Sequence, residues 1–334
     1  MNVSHRERLQ AVLRGEAPDQ VPVALWRHFP VDDQEPQLLA NAVLAFQQEY
    51  DFDLIKVTPA SSFSVRDWGV TDVWEGDAEG VRRYATRAIQ APRDWERLAV
   101  LNVRRGALGA QLSCLKTICR ASGGTTPVLQ TIFNPLSQAR HLAGGETLLE
   151  HLRRWPEAVA AGLETITRVT CEFVDACLEV GLDGIFLASQ HASFRVLSGQ
   201  EYQACGRPFD LRVLSAASAG WLNMLHLHGQ AVMFAELSDY PVQIVNWHDR
   251  ESGPALADGA RIARKVVCGG WGQWQTMVRG DPARVRDQAR DAIQQMSGRN
   301  LILGTGCVVP IVAPRANLLA AARAGMDGGL GPCS

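Results

Sequence analysis

Eight short apolar runs, mostly separated by stretches of helical period and mostly ending in glycine or polar residues, narrow what this chain can become more than any other feature. They fall at residues 21–26, 53–57, 127–133, 184–187, 220–229, 242–245, 266–270 and 301–303. A run of that length, rich in Val, Ile and Leu and bounded by turn residues, reads as a buried strand, and strands alternating with helices read as parallel βα units. Eight such units make an α/β (β/α)8 barrel of the TIM type, whose active site is built by the loops that follow the strands. The 334 residues suit one such barrel. No repeat, low-complexity tract or linker divides them, so a single domain over 1–334 is expected.

Two additions to the barrel are legible. Ser4 followed by Glu7 forms a capping-box pattern ahead of an amphipathic segment at 6–14, an N-terminal helical extension. The turn-rich, alternating segment 58–89, with Trp68, Gly69, Trp74, Gly76 and Tyr84, predicts a β-hairpin excursion outside the core. Helices are expected at 38–50, 106–120, 156–180, 201–218, 282–296 and 314–324, the long one carrying proline in its first turn.

Composition excludes several classes of function. A formal net charge of −2 gives no attraction to nucleic acid or to an anionic membrane. No run approaches the ~18–20 apolar residues that cross a bilayer, and the first eight residues lack the apolar core of a signal peptide, so a cytoplasmic location is expected. The eight cysteines, at 114, 119, 171, 177, 205, 268, 307 and 333, include no CxxC pair and read as reduced thiols, most of them in the core. Cys307 differs, because it stands in a glycine-rich turn at a strand end.

The run at 220–229 ends in His226, Leu227, His228 and Gly229. Side chains alternate along a strand, so the two imidazoles share a face roughly 6–7 Å apart. If Cys307 opens on the same barrel mouth, the three form an N,N,S set suited to zinc. Other strand ends deliver Arg27, His191, Asn246, Trp247, His248 and Asp249. His191, His248 and Gln190 are candidates for a fourth ligand or for substrate contact, and Arg27 for an anion clamp. Asn246 and Asp249 are candidates to orient an imidazole, and Trp247 to contact a flat ligand. Each has a plainer alternative: a strand-end histidine is commonly a hydrogen-bonded scaffold group, an arginine a salt-bridged one, and tryptophans such as Trp247, Trp271 and Trp274 loop packing. The Gly-Gly-Trp-Gly run at 269–272 reads as turn geometry, since it does not open a helix as a phosphate loop does.

Taken in order, Pro-Val-Ala-Leu-Trp-Arg at 22–27, Leu-His-Leu-His-Gly at 225–229, Asn-Trp-His-Asp at 246–249, Gly-Thr-Gly-Cys-Val-Val-Pro at 304–310 and Pro-Arg-Ala-Asn-Leu at 314–318 resemble the uroporphyrinogen decarboxylase superfamily along nearly the whole chain. One branch of that superfamily comprises metal-free decarboxylases that hold tetrapyrrole carboxylates with arginines and an aspartate. The other comprises zinc methyltransferases that pass methyl groups between corrinoid proteins and thiols such as coenzyme M, with a His-x-Cys motif and a distant Cys. Here His228 replaces the first cysteine and remains a competent ligand. The decarboxylase signature fits less well: Arg27, His28, Phe29 and Pro30 keep one arginine of its arginine-rich run, Lys56, Val57, Thr58 and Pro59 stand where its aspartate is expected, and Cys307 replaces a histidine.

The resemblance implies a zinc-dependent methyltransferase that activates a thiol, with a small-molecule substrate and a corrinoid carried by a partner protein. A homodimer is left open as the assembly. Two alternatives stand beside it: decarboxylation of a porphyrinogen or related carboxylate, and metal-dependent hydrolysis, although hydrolases with His-x-His usually carry it on the first barrel strand rather than the fifth.

Overall fold

The computed structural model describes residues 3–327, so Cys333 and the first two residues lie outside the described part. Its centre is a seven-stranded parallel sheet formed by β1 (Ile55–Val57), β4 (Val128–Phe133), β5 (Gly184–Ser189), β6 (Met224–Leu227), β7 (Ile244–Trp247), β8 (Val266–Trp271) and β9 (Leu301–Thr305), in that spatial order. Every residue of these strands is buried, which explains why they read as continuous apolar runs rather than alternating ones.

The first expected strand, 21–26, is reduced to a parallel bridge between Val23 and Leu303. Pro22 has no N–H to give a ladder. The segment still occupies the eighth position. The Leu303 N–H donates to the Pro22 carbonyl and the Ala24 N–H to the Leu303 carbonyl, while on the other side the Asp53 N–H donates to the Val23 carbonyl. These bonds join β9 to the entry of β1, giving the TIM-type architecture.

Helices cover the outside. The Ser4 hydroxyl accepts from the Glu7 N–H and the Glu7 carboxylate accepts from the Ser4 N–H, capping α1 (His5–Leu13). Along the chain follow α2 (Pro36–Tyr50), α3 (Gly106–Ser122), α4 (Pro135–Ala143), α5 (Gly145–Arg154) and α6 (Pro156–Glu179). The expected helix at 201–218 is divided into α7 (Gly199–Cys205) and α8 (Arg207–Ala216) around Gly206, with Pro208 in the first turn of the second piece. The short α9 (Phe234–Leu237), then α10 (Leu256–Ala263), α11 (Pro282–Met296) and α12 (Arg315–Asp327) complete the layer. The hairpin excursion is β2 (Thr71–Val73) against β3 (Arg83–Thr86), antiparallel, separate from the barrel sheet and bulged at Thr71 and Asp72.

Candidate metal centre

β6 and the turn after β9 meet at the carboxyl end of the barrel. His226 pairs with Ala188 on one side and Asn246 on the other. The chain stays extended past β6, the His228 N–H donating to the Ser189 carbonyl at 3.0 Å, so His228 keeps the face of His226 until Gly229, at φ +92°, ends the strand.

Cys307 is brought in by a glycine. A Cβ on Gly306 would sit 2.4 Å from His248 Cα and 2.9 Å from His248 N and Trp247 O, all backbone, so the loop rests main chain on main chain and no larger residue fits.

The resulting arrangement is a candidate metal-ligand set. His226 Nε2 lies 3.4 Å from His228 Nδ1 and Cys307 Sγ lies 3.7 Å from the same Nδ1, with all three donor atoms within 4.8 Å of one another. Tetrahedral zinc, with Zn–N about 2.0–2.1 Å and Zn–S about 2.3 Å, holds such atoms about 3.3–3.6 Å apart.

Asn246 determines which nitrogen His226 presents. Its amide Nδ2 donates to the Cys268 and Thr305 carbonyls, both at 2.9 Å, which turns Oδ1 toward His226 Nδ1 at 2.7 Å. His226 therefore carries its proton on Nδ1 and directs the Nε2 lone pair at His228 and Cys307.

Burial by itself would raise the Cys307 thiol, but the neighbouring imidazoles, His226 first and then His228 and His248, hold it well below the ordinary thiol value. Burial opposes charge on His248, and its contacts with Cys307 and Glu251 overcome this, pushing it up to about 10. Its Nδ1 lies 3.6 Å from Glu251 Oε2, while Nε2 has no hydrogen-bond partner among the described residues.

His226, His228 and Cys307 line part of a cavity of about 380 Å³. Trp26, Lys56 and Phe186 form further wall, and the Phe186 ring stacks on His226 at 5.2 Å. Arg82 and Tyr84 come from the hairpin side, and Arg140 and His141 from α4. Three buried polar atoms in this lining, Trp26 Nε1, His28 Nδ1 and His141 Nδ1, have no hydrogen-bond partner among the described residues. Burial holds His28 down at about 4 and His141 at about 3, so both are neutral.

Strand alternation separates the other expected residues. On β7, Asn246 faces in and Trp247 faces out, where its ring packs on Phe234 and its Nε1 donates to the Pro254 carbonyl at 2.8 Å. Trp26 lines the cavity, so its neighbour Arg27 points into the helical layer, with its guanidinium 5.4 Å from the Phe29 ring and 6.0 Å from that of Phe46 on α2. Asp249 accepts from the Gly270 N–H at 3.2 Å and has no hydrogen bond to an imidazole among the described residues, whereas Asn246 binds His226. Gln190 lines the cavity and binds His141 Nε2 at 3.0 Å, whereas the next residue, His191, is buried outside the lining. Among the candidates for a fourth ligand, His248 is the imidazole beside the trio, its ring 5.6 Å from that of His228.

Sequence reasoning passed over His28, Lys56 and His141 as cavity residues. A lysine within the apolar run 53–57 was the available signal for Lys56, since an unpaired charge does not belong in a buried strand. His141 comes from a helix after the third barrel strand, where no strand-end pattern marks it.

Comparisons with known proteins bear on the chain as a whole. The family model described as Uroporphyrinogen decarboxylase (URO-D) matches residues 4–325. The chain is 20% identical over 328 residues to the methylcobamide:CoM methyltransferase MtbA of Methanosarcina acetivorans, covering 94% of this chain and 95% of that protein. It is 24% identical over 221 residues to a methylated-thiol–coenzyme M methyltransferase of Methanosarcina mazei, covering 66% of this chain and 58% of that protein. In fold it is similar to a methyltransferase from Methanosarcina mazei, with a TM-score of 0.85 at 18% identity over 98% and 99% of the two chains. The chain thus belongs to the uroporphyrinogen decarboxylase family, is an enzyme, and has methyltransferases among the relatives it matches along nearly its whole length.

Proposed function

We propose that this enzyme is a zinc-dependent methyltransferase in which His226, His228 and Cys307 hold the metal and a thiol is the methyl acceptor. The spacing of the donor atoms carries the reading: His226 and His228, two positions apart, bring their nitrogens to 3.4 Å, and Cys307, 79 positions beyond His228, brings its sulfur to 3.7 Å, separations close to those of metal-bound nitrogen and sulfur. Zinc bound there supplies the Lewis acidity that keeps a coordinated thiol ionised at neutral pH.

The chain's own residues do the rest. Asn246 fixes the tautomer of His226, Cys307 is ready as thiolate, and the cavity wall of Trp26 and Phe186 keeps water from a sulfur nucleophile. Three protein ligands facing the cavity leave a coordination position for substrate, as catalytic zinc sites do. The methyl donor in this reading is a corrinoid presented by a partner protein or another methylated carrier, in keeping with the methylcobamide methyltransferase relatives.

The test is metal analysis of the purified chain together with thiol-dependent demethylation of methylcobalamin. About one zinc per chain and demethylation that disappears in Cys307→Ala are expected. A chain free of zinc after growth with added metal, and inactive with methylcobalamin, overturns the reading.

Decarboxylation keeps one observation in its favour, the cations Lys56, Arg82, Arg87 and Arg140 along the cavity. It leaves the donor trio without a role.

A further inference from the structure

We propose that Lys56 is an anion-binding residue of the cavity, whose ammonium group pairs with a carboxylate or sulfonate at the far end of the ligand that reaches His226, His228 and Cys307. The inference rests on the metal-centre reading for the position of the thiol, but the evidence for the anion stands on Lys56 itself.

Of the 33 basic residues only Lys56, Lys116 and Lys265 are lysine. Lys56 lies mid-strand in β1 and is 7% exposed. Its Nζ donates to Thr58 Oγ1 at 3.2 Å, and no carboxylate lies within 4 Å of it among the described residues. An ammonium has three N–H donors, so two lack a partner. The Phe186 ring at 4.5 Å and the Trp26 ring at 5.8 Å offer only cation–π attraction, which does not replace hydration. Burial brings the amine down to about 7, so an arriving anion would find a group readily charged in response.

The other cavity cations are already engaged or solvated. Arg82 pairs with Asp72 at 2.8 Å and Asp33 at 3.2 Å, Arg87 donates to the Arg140 and His141 carbonyls, and Arg140 is exposed at the rim. The free donors of Lys56 face the same space as the metal ligands. Phe186 lies between them, its ring tilted only 24° from that of His226, so a short ligand bridges the two ends.

The experiment measures binding of 3-mercaptopropionate, 3-mercaptopropane-1-sulfonate and uncharged 3-mercaptopropan-1-ol to the zinc-loaded full chain, its K56M variant and its K56R variant. One or both anionic thiols are expected to bind about 10- to 100-fold tighter than the alcohol. K56M should lose that preference with zinc content unchanged, and K56R should keep most of it. Which anion is preferred assigns carboxylate or sulfonate.

In parallel, 13C-labelled lysine gives three side-chain signals. That of Lys56 should shift on adding propionate to the metal-free chain, independently of zinc and of any variant's folding. Equal preference in K56M and the parent, or a Lys56 signal indifferent to propionate, overturns the proposal. A Lys56 shift together with a chain that takes up no zinc when zinc is supplied supports the anion site and overturns the metal reading alone.

Discussion

The two ends of the barrel both gather histidines and charged groups, and they treat them oppositely. At the amino-terminal end Asp53 accepts from His5 at 2.8 Å, from Arg8 at 2.5 Å and from the Val23 N–H at 2.7 Å, while Arg8 also pairs with Asp19 at 2.7 Å and His5 with Asp51 at 3.0 Å. Each group is answered by the protein. At the carboxyl end, among the described residues, Trp26 Nε1, His28 Nδ1, His141 Nδ1 and His248 Nε2 have no partner, Lys56 has one weak partner, and three donor atoms that could hold a metal lie within 4.8 Å of one another. Buried polar groups left unsatisfied are costly, so a fold that keeps several together keeps them for a ligand. Saturation marks the end that holds the barrel closed, and incompleteness marks the end that works.

The contrast predicts that substitutions at one end change metal and ligand binding while those at the other change stability. The largest effect should be Cys307→Ala or His226→Ala: metal analysis should show zinc falling from about one per chain to background, with the thermal midpoint of the metal-free chain little changed. Next is Asp53→Ala, which removes the buried acceptor of His5, Arg8 and the Val23 N–H while Arg8 keeps Asp19, and should cost about 1–3 kcal/mol in urea unfolding while leaving zinc stoichiometry intact. Asn246→Ala should weaken zinc binding about 10- to 100-fold in chelator competition, because His226 loses the group that fixes its tautomer, whereas Arg27→Ala should leave it unchanged.

The smallest effect is one of pH. The hydrogen bond to Asp53, helped by the charges of Asp53 and Asp51 and opposed by burial, raises His5 above its ordinary value. A histidine raised in the folded state contributes stability that is full below its unfolded pKa of about 6.5 and is lost as pH rises through the folded value. The gap between the parent and His5→Gln should therefore be on the order of 1 kcal/mol at pH 5.5 and shrink above pH 6.5 in denaturant titrations. A gap that grows with pH would contradict the assignment.

Much of this was legible in the chain, and alternation explains both what was and what was not. His226 and His228, two apart on a strand, had to share a face, and Gly306 beside Cys307 marked a turn tight enough to deliver it. The same parity separates Asn246 from Trp247 and Trp26 from Arg27, so reading neighbours together at a strand end sends one of each pair to the wrong side. The helix α11 runs over 282–296 as its period implies, and the Ser4 capping box starts α1. What the pattern hid came from outside the strands. Arg82 and Tyr84 reach the cavity from the hairpin, and Arg140 and His141 from α4, through tertiary placement that local periodicity does not encode.

The central claim, one metal at the meeting of β6 and the turn after β9, is tested most directly by zinc-edge X-ray absorption on the zinc-loaded chain. It should show imidazole nitrogens at about 2.0–2.1 Å and one sulfur at about 2.3 Å, with a second sulfur appearing when 3-mercaptopropionate is added. A zinc shell without protein sulfur, or one unchanged by the thiol, would contradict it.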